Sequence, residues 1–159
     1  IPAAVRSILD TVTDPEIPVL TIIDLGVVHK VALTDKNIYV ELIPTYTGCP
    51  AMDVMQADVI QAFSKEGYTV TTKLVLSPAW TSDRITEKGK AALKAYGIAP
   101  PLGETADKAA LLEGSKLVAC TNCGSTNTKL VSQFGSTACK ALFKCLDCLE
   151  PFDYFKCLK

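Results

Sequence analysis

The sequence contains very little histidine and no excess of charge of either sign. His29 is the single histidine among 159 residues, and 16 basic side chains stand against 17 acidic ones. A Cys–His hydrolase or acyltransferase mechanism would have to rest on that one imidazole, which we interpret as an ordinary strand residue. A broad nucleic-acid surface needs clustered lysine and arginine to neutralise phosphates. We therefore expect no nucleic-acid partner.

Long apolar runs are also missing. No segment approaches the roughly 18–20 apolar residues that span a bilayer, and no basic-then-apolar leader is visible. We therefore expect a cytoplasmic protein without a membrane partner. The chain begins at Ile1 rather than at methionine, so we expect its natural N-terminus to lie upstream. A hydrophobic content of 48% is nevertheless enough for a folded core.

Cysteine is scarce in the first 119 residues and concentrated after them. Cys49 stands alone in the first part, and the other six cysteines all follow residue 119. An odd number of cysteines with two Cys-x-x-Cys pairs and no leader indicates metal binding rather than a disulfide framework. The question is whether Cys49 and the distal cysteines belong to one mechanism.

The first 97 residues predict the order helix, two strands, helix, strand, helix. Apolar residues recur at helical spacing in three segments, residues 2–12, 51–65 and 84–96. Alternating, β-branched segments predict strands over residues 27–33, 38–43 and 68–76. Residues 21–26 are predicted to be a short extended piece followed by a turn. This order predicts a small α+β domain with helices on one face of a sheet.

A linker and a zinc ribbon are predicted to follow. Residues 98–114 lack strand signals and have room for one brief helical turn, whereas residues 115–159 carry the remaining cysteines. Two Cys-x-x-Cys pairs lie 21 residues apart, and their members are Cys120, Cys123, Cys145 and Cys148. Each pair can present two thiolates to one ion, and two pairs complete a tetrahedron. Short strands are predicted over residues 126–134, 138–143 and 152–155.

A structural Zn²⁺ is the favoured occupant of this four-cysteine site. A module of this size has too few apolar residues to fold unaided, so metal binding would supply much of its folding energy. Iron or an iron–sulfur cluster is the alternative, since the same soft thiolates accept it. Cys139 and Cys157 exceed one tetrahedron. We interpret them as buried or incidental thiols, although they keep the cluster alternative open.

Cys49 lies where an apolar strand ends and the helix predicted from residue 51 begins. The N–H groups and positive dipole end of a helix favour a thiolate, so we expect the pKa of this thiol to be lowered. Pro50 suits the start of a helix, and the hydroxyls of Thr45 and Thr47 precede the thiol. The alternative is a buried core cysteine, a common fate of free thiols.

Three acidic residues stand in the loops before the first strand. Asp14, Glu16 and Asp24 are by themselves typical turn and cap residues. If the fold brings them to Cys49, one thiolate beside carboxylates would hold iron transiently in open coordination. One thiolate cannot hold a cluster tightly, so labile binding or sharing across a homodimer would follow.

Five short motifs in this sequence resemble those of a known family. They are DPEI at 14–17, IDLG at 23–26, TYTGCP at 45–50, PAWTSD at 78–83 and EPFD at 150–153. The first three are similar to the SufT-like iron–sulfur assembly-factor family, over roughly residues 1–97. Together, and with the four-cysteine tail, they make nearly the whole chain resemble the PaaD family. That family comprises accessory proteins of the bacterial phenylacetyl-CoA epoxidase system.

The resemblance implies an accessory role in aerobic phenylacetate catabolism rather than catalysis of the oxygenation. The protein would mature or deliver an iron or iron–sulfur centre to other epoxidase components, which are a di-iron oxygenase and a reductase with an iron–sulfur cluster and flavin. It also implies that Cys49 is the functional, cofactor-binding thiol and that Asp14, Glu16 and Asp24 surround it, near Thr45. No firm catalytic residue is predicted.

Two other functions stay open at this point. The protein could be a non-catalytic docking or structural subunit of the epoxidase complex that uses the zinc ribbon for protein contacts. It could also be an enzyme with Cys49 as the nucleophile, for example on a CoA thioester, but a single histidine makes this the weakest alternative.

Overall fold

The computed structural model describes residues 1–46, 48–103, 109–111 and 117–156. The chain divides into two compact units, residues 1–80 with 84–89 and residues 81–83 with 90–159. The boundaries drawn from the sequence, at residues 97 and 115, stay predictions. None of the helices in the described ranges has the length and apolarity that crossing a bilayer requires.

The first unit contains a three-stranded sheet in the order β1-β2-β3. Its strands are β1 (Val28–Thr34), β2 (Asn37–Leu42) and β3 (Thr69–Leu74). β1 and β2 correspond to two of the predicted strands and form an antiparallel hairpin, and β3 pairs with β2 in parallel. A parallel pair needs a crossover connection, and helix α3 (Ala51–Ser64) supplies it, as predicted.

Helix α3 covers one face of this sheet. Side chains alternate along β2, and the buried ones are Ile38, Val40 and Leu42. The Gln56 side chain of α3 donates a hydrogen bond to Thr72 Oγ1 of β3 at 3.3 Å, which places the helix over that face. Helix α1 (Ala3–Leu9) packs against α3. The predicted mixed domain with helices packed on a sheet is confirmed.

A short helix, α2 (Ile22–Leu25), stands where an extended piece was predicted, so that prediction was wrong. Thr21 Oγ1 accepts a hydrogen bond from Asp24 N at 3.1 Å, which caps the helix start. Gly26 ends the helix with a φ of +79°, a conformation that other residues adopt only with strain. The two cap residues, rather than apolar periodicity, define this single turn of helix.

The last helix begins later than predicted. Residues Ser82–Arg84 form a short 3-10 helix, and α4 covers Glu87–Tyr96. Thr86 Oγ1 accepts a hydrogen bond from Gly89 N at 3.0 Å and thereby caps α4. The predicted start at residue 84 was therefore too early.

The second unit contains a four-stranded sheet in the order β4-β7-β6-β5. Its strands are β4 (Ile98–Ala99), β5 (Thr128–Ser132), β6 (Lys140–Cys145) and β7 (Pro151–Phe155). The last three form the predicted antiparallel ribbon, and β4 joins β7 in parallel. No strand was predicted within residues 98–114, and β4 shows that this prediction was wrong. A strand of two residues is too short to give a periodic signal in the sequence. Part of that predicted linker, residues 104–108 and 112–114, lies outside the described residues.

The core of the second unit combines aromatic rings with thiols. The Phe143 ring lies 5.9 Å from the Phe152 ring, stacked, and 5.5 Å from the Tyr154 ring, edge to face. Cys120 and Cys145 belong to the same buried cluster. One cysteine of each pair is thus part of the ribbon core, whereas the other members, Cys123 and Cys148, are exposed.

Candidate functional site

The four predicted metal ligands come together. The sulfurs of Cys120, Cys123, Cys145 and Cys148 all lie within 4.8 Å of one another. The Sγ atoms of Cys120 and Cys148 are 3.7 Å apart, and those of Cys123 and Cys145 are 3.6 Å apart. Four thiolates about 2.3 Å from a tetrahedral Zn²⁺ would be separated by roughly 3.8 Å. The four side chains therefore fit one tetrahedral ion.

The two cysteine pairs repeat one local geometry. Asn122 N donates a hydrogen bond to Cys120 Sγ at 3.3 Å, and Cys148 N donates one to Cys145 Sγ at 3.4 Å. Each pair is followed by a residue with positive φ, Gly124 at +78° and Leu149 at +65°. Backbone donors aimed at sulfur stabilise thiolates over thiols. Both turns are accordingly shaped for metal-bound sulfur.

Hydrogen bonds move the thiol pKa values in opposite directions. The Asn122 side chain, 3.6 Å from Cys148 Sγ, and then the Glu150 backbone lower the pKa of Cys148 to about 7. The Ser125 backbone lowers the pKa of Cys123, but the Cys145 thiol and desolvation outweigh it and raise that pKa to about 12. Without metal, the four-cysteine site holds protons that an incoming cation must displace.

A polar network behind the ligands ties the two cysteine pairs together, and the sequence analysis did not identify it. Asn127 Nδ2 donates to Asp147 Oδ1 at 3.0 Å, and the Ser125 hydroxyl donates to the other oxygen of that carboxylate. Leu146 N donates to Asn127 O at 2.8 Å. Outer hydrogen bonds of this kind fix the orientation of metal ligands. The one signal available was the polar character of residues beside the Cys-x-x-Cys motifs.

Cys139 is buried and does not belong to the four-cysteine group. Its Sγ lies 3.1 Å from Thr137 Oγ1 in a different part of the ribbon. This position agrees with the interpretation of Cys139 as a buried thiol. Cys157, the other surplus cysteine, lies outside the described residues.

Cys49 lies in the loop between β2 and α3, at the carboxyl end of the parallel pair. Sites form preferentially at this end of parallel strands. The thiol is partly exposed, and Cys49 N donates to Tyr46 O at 3.2 Å. A small pocket beside it is lined by residues that include Pro44, Leu74 and Leu76. Cys49 is therefore not the fully buried core cysteine that the alternative required.

The residues around Cys49 follow the predicted strand-to-helix turn. Pro50 directly precedes α3 and already has helical dihedrals, with a φ of −68°. Gly48 has a φ of +80°, which turns the chain into the helix. Thr45 is partly exposed in the same loop, whereas Thr47 lies outside the described residues. The loop therefore holds the thiol at the start of α3.

The acidic residues have structural partners of their own. Asp14 is buried, and its Oδ1 accepts hydrogen bonds from Glu16 N at 2.7 Å and Ile17 N at 3.3 Å, a turn closed by an aspartate side chain. In the described ranges, the four distal cysteines are the only group of three or more potential ligands close enough to share an ion. The structure therefore does not gather Asp14, Glu16 and Asp24 with Cys49 into one ligand set.

Asp24 is held at the start of α4. Thr86 Oγ1 donates to Asp24 Oδ1 at 2.8 Å, and Lys88 Nζ lies 3.8 Å from Oδ2. The neighbouring turn is fixed as well, because the Trp80 indole donates to Leu25 O at 2.9 Å. Asp24 was predicted from the sequence as a candidate site residue, but these hydrogen-bond and ion-pair partners were not. A threonine directly before a helical segment was the signal that could have identified Thr86.

His29 lies close to the carboxylate of Glu41 on the hairpin of β1 and β2. It stands at a register shift in β1, and its Nε2 lies 3.9 Å from Glu41 Oε2. The Tyr39 hydroxyl donates to the same carboxylate at 2.8 Å, which raises the pKa of Tyr39. These contacts fit the interpretation of His29 as an ordinary strand residue.

Known protein families match both the region that contains Cys49 and the four-cysteine ribbon. An "Iron-sulfur cluster assembly protein" family profile matches residues 2–72, and a "PaaD zinc beta ribbon domain" profile matches residues 104–156. A protein of Escherichia coli K12, described by its name as a putative component of 1,2-phenylacetyl-CoA epoxidase, is 44% identical over 153 residues. That match covers 96% of this chain and 90% of the relative. The chain belongs to the PaaD family.

Other relatives of this PaaD-family chain match about half of its length. A "Fe-S protein maturation auxiliary factor" of Porphyromonas gingivalis is 36% identical over 83 residues, which is 50% of this chain and 78% of the relative. A crystal structure of a DUF59 domain from Bacillus anthracis matches with a TM-score of 0.53 and 26% identity, covering 57% of this chain and 88% of that one. The predicted family and the predicted order of an assembly-type domain followed by a zinc ribbon are confirmed.

Proposed function

We propose that this PaaD-family protein matures or delivers an iron or iron–sulfur centre to phenylacetyl-CoA epoxidase, with Cys49 as a transient ligand of that cargo. The observation that carries the proposal is the partly exposed thiol of Cys49 at the carboxyl end of a parallel strand pair. This thiol lies inside the region that matches iron–sulfur assembly proteins. One relative is named as a putative subunit of phenylacetyl-CoA epoxidase and another as an Fe-S protein maturation factor, and the proposal combines these two roles.

The two groups of cysteines would have different tasks. Four thiolates fill the coordination shell of a Zn²⁺ and leave no open position, which is typical of structural sites. We assign Zn²⁺ to Cys120, Cys123, Cys145 and Cys148, where it would supply folding energy to the ribbon. A single thiolate at Cys49 binds iron weakly, and weak binding suits a protein that must release its cargo.

The surroundings of Cys49 would orient the cargo rather than enclose it. The Cys49 backbone is fixed by its hydrogen bond to Tyr46 O, while the residue is partly exposed and lines a small pocket. Further ligands would then come from the client protein, which we take to be the oxygenase or the reductase of the epoxidase. We place this PaaD-family protein and its client protein in the cytoplasm, where phenylacetyl-CoA would be available.

Anaerobic reconstitution tests this proposal. The protein is purified without oxygen and titrated with iron and sulfide, and iron binding is followed by visible absorption at equilibrium without a desalting step. The zinc content is measured by elemental analysis of a separate, desalted sample. We expect the wild type to take up iron at Cys49 while keeping one zinc, and Cys49→Ser to lose most of the iron but not the zinc. Cys139→Ser is the matched control and should retain both metals. A colourless wild type, or a Cys49→Ser protein as coloured as the wild type, would contradict the proposal.

A docking role within the epoxidase complex is the second candidate, and exposed apolar side chains on the ribbon favour it. Val131, Phe134 and Leu149 are 55%, 65% and 62% exposed. Complementation of an epoxidase strain that lacks this protein separates the two functions. A docking role predicts that Cys49→Ala supports epoxidase activity and that Cys120→Ala does not. The reverse pattern would eliminate docking as the main role.

A further inference from the structure

The two edges of the three-stranded sheet are built differently. The β1 edge carries a register shift at His29, between Val28 and Lys30, and such irregularities discourage pairing with another strand. The β3 edge runs in regular register from Thr69 to Leu74 and ends the sheet order. Within the described part of the chain, no further strand pairs with the outer side of β3.

The outward backbone groups of β3 can be assigned from its inner hydrogen bonds. Thr69 N donates to Lys36 O at 2.8 Å, and Val75 N donates to Leu42 O at 2.9 Å. Because successive residues of a strand alternate, the other odd-numbered amides also point towards β2. The outward amides belong to Val70, Thr72 and Leu74. They form a ladder spaced to receive one more strand.

Apolar side chains extend this edge towards Cys49. Leu74 is 37% exposed and Leu76 is 66% exposed, and both line the pocket beside the Cys49 thiol. A strand added to β3 would cover these two leucines and run past the loop that holds the thiol. The edge is thus continuous with the site at which we propose cargo exchange.

We infer that β3 is the docking edge for an extended segment of the client protein, which adds to the sheet as a fourth strand and brings its own metal ligands to Cys49. This inference rests on the proposed function for the identity of the client. The segment would supply main-chain donors and acceptors to Val70, Thr72 and Leu74, with apolar side chains over Leu76. Strand addition of this kind takes its affinity from the backbone and its specificity from alternate side chains.

A second copy of the chain fits this edge less well. Two β3 strands that pair along their whole length about a two-fold axis run antiparallel, so that their carboxyl ends lie at opposite ends of the ladder. The two Cys49 thiols would then be separated by about the length of the strand, some 16–20 Å at 3.3 Å per residue. Such a dimer could not share one small cargo between its thiols, whereas a client segment can.

Amide exchange measures the docking directly. The full-length, zinc-loaded protein is mixed separately with the purified, metal-depleted oxygenase and reductase components of the epoxidase. We expect one of them to slow exchange at Val70, Thr72 and Leu74 by at least about tenfold, relative to the protein alone. Unchanged exchange at these amides with both components would overturn the inference. Protection that appears with rising concentration of the protein alone would overturn it too, in favour of self-pairing.

Two pairs of variants separate docking from misfolding. Thr72→Pro removes one outward N–H and should weaken binding about tenfold or more, because proline is tolerated at an outward-facing edge position but cannot donate. Thr72→Val is its control, since it loses the hydroxyl that accepts from Gln56 but keeps the N–H, and it should bind within about twofold of the wild type. Equal binding by both variants would overturn the inference.

Leu76→Glu provides the second pair, with Leu33→Glu as its control. Leu33 is 41% exposed on the other edge strand, so its replacement should not alter binding. We expect Leu76→Glu alone to weaken it about tenfold, and equal effects of the two substitutions would contradict a β3 site. Docking and iron uptake are measured separately on the same wild-type preparation. Docking without iron uptake would therefore refute the proposed function alone, and iron uptake without docking would refute this inference alone.

Discussion

The two units of this protein are stabilised by different interactions. The first unit buries many large aliphatic and aromatic side chains, among them Leu9, Ile17, Leu20 and Phe63. The second buries a few aromatic rings together with three cysteines, Cys120, Cys139 and Cys145. A unit that folds through apolar burial can leave a thiol available for exchange, as at Cys49. A unit that folds around a metal must keep its thiols engaged.

The largest expected effect comes from removing a ribbon ligand. Cys145→Ser should prevent the ribbon from folding, because structural zinc contributes about 10–16 kcal/mol in zinc-finger peptides at neutral pH. Amide exchange should show the second unit unprotected while β1, β2 and α3 keep their protection. Cys139→Ser should leave the ribbon folded. Loss of protection in both units would break the comparison, since the first unit would then depend on the metal.

The reciprocal change is a cavity in the first unit. Phe63 is fully buried and lies 5.8 Å from the Tyr68 ring, edge to face. Phe63→Ala should lower the free energy of unfolding of the first unit by about 3–5 kcal/mol, measured by chemical denaturation. The zinc content should stay at one per chain. Leu33→Ala, at an exposed apolar position, is the control and should cost far less.

Two glycines in the first unit distinguish crowding from strain. Gly26 and Gly48 have nearly equal φ values, +79° and +80°. A Cβ at Gly26 would lie 2.4 Å from Arg84 O, whereas one at Gly48 would meet nothing within 4 Å. Gly48→Ala should therefore cost about 1–2 kcal/mol of left-handed strain. Gly26→Ala should cost clearly more in thermal unfolding; equal costs would show that the contact with Arg84 yields easily.

The smallest expected effect concerns pH and the ribbon. Cys123 keeps its proton up to a pKa of about 12 in the metal-free site, and Cys148 loses its proton near 7. Metal binding must displace these protons, so the apparent zinc affinity should fall with falling pH, by at least about tenfold per unit below pH 7. Competition with a chromophoric chelator between pH 6 and 8 measures this. A flat profile would mean that the thiols are already deprotonated without metal.

The sequence predicted most of the elements because their signals are local. The Cys-x-x-Cys spacing identified the four cysteines that the fold brings together, and residue spacing identified α3 and the strands of the first sheet. Contacts between distant residues could not be predicted in this way. Asp24 appeared as a turn residue, but its hydrogen bond from Thr86 joins positions 62 residues apart. Whether Asp14 and Cys49 meet likewise depends on tertiary folding and cannot be predicted from sequence spacing. The structure does not bring them into one ligand set.

The short strand β4 limits how the ribbon can be separated from the rest of the chain. Ile98–Ala99 pairs with Asp153 and Tyr154 of β7, and Leu102 N donates to the Tyr154 hydroxyl at 3.4 Å. A fragment that starts at residue 115 would contain all four metal ligands yet leave the β7 edge bare. Bare edges of regular strands invite aggregation. A zinc-ribbon fragment that keeps the β7 edge paired therefore has to begin before residue 98, well upstream of its first cysteine.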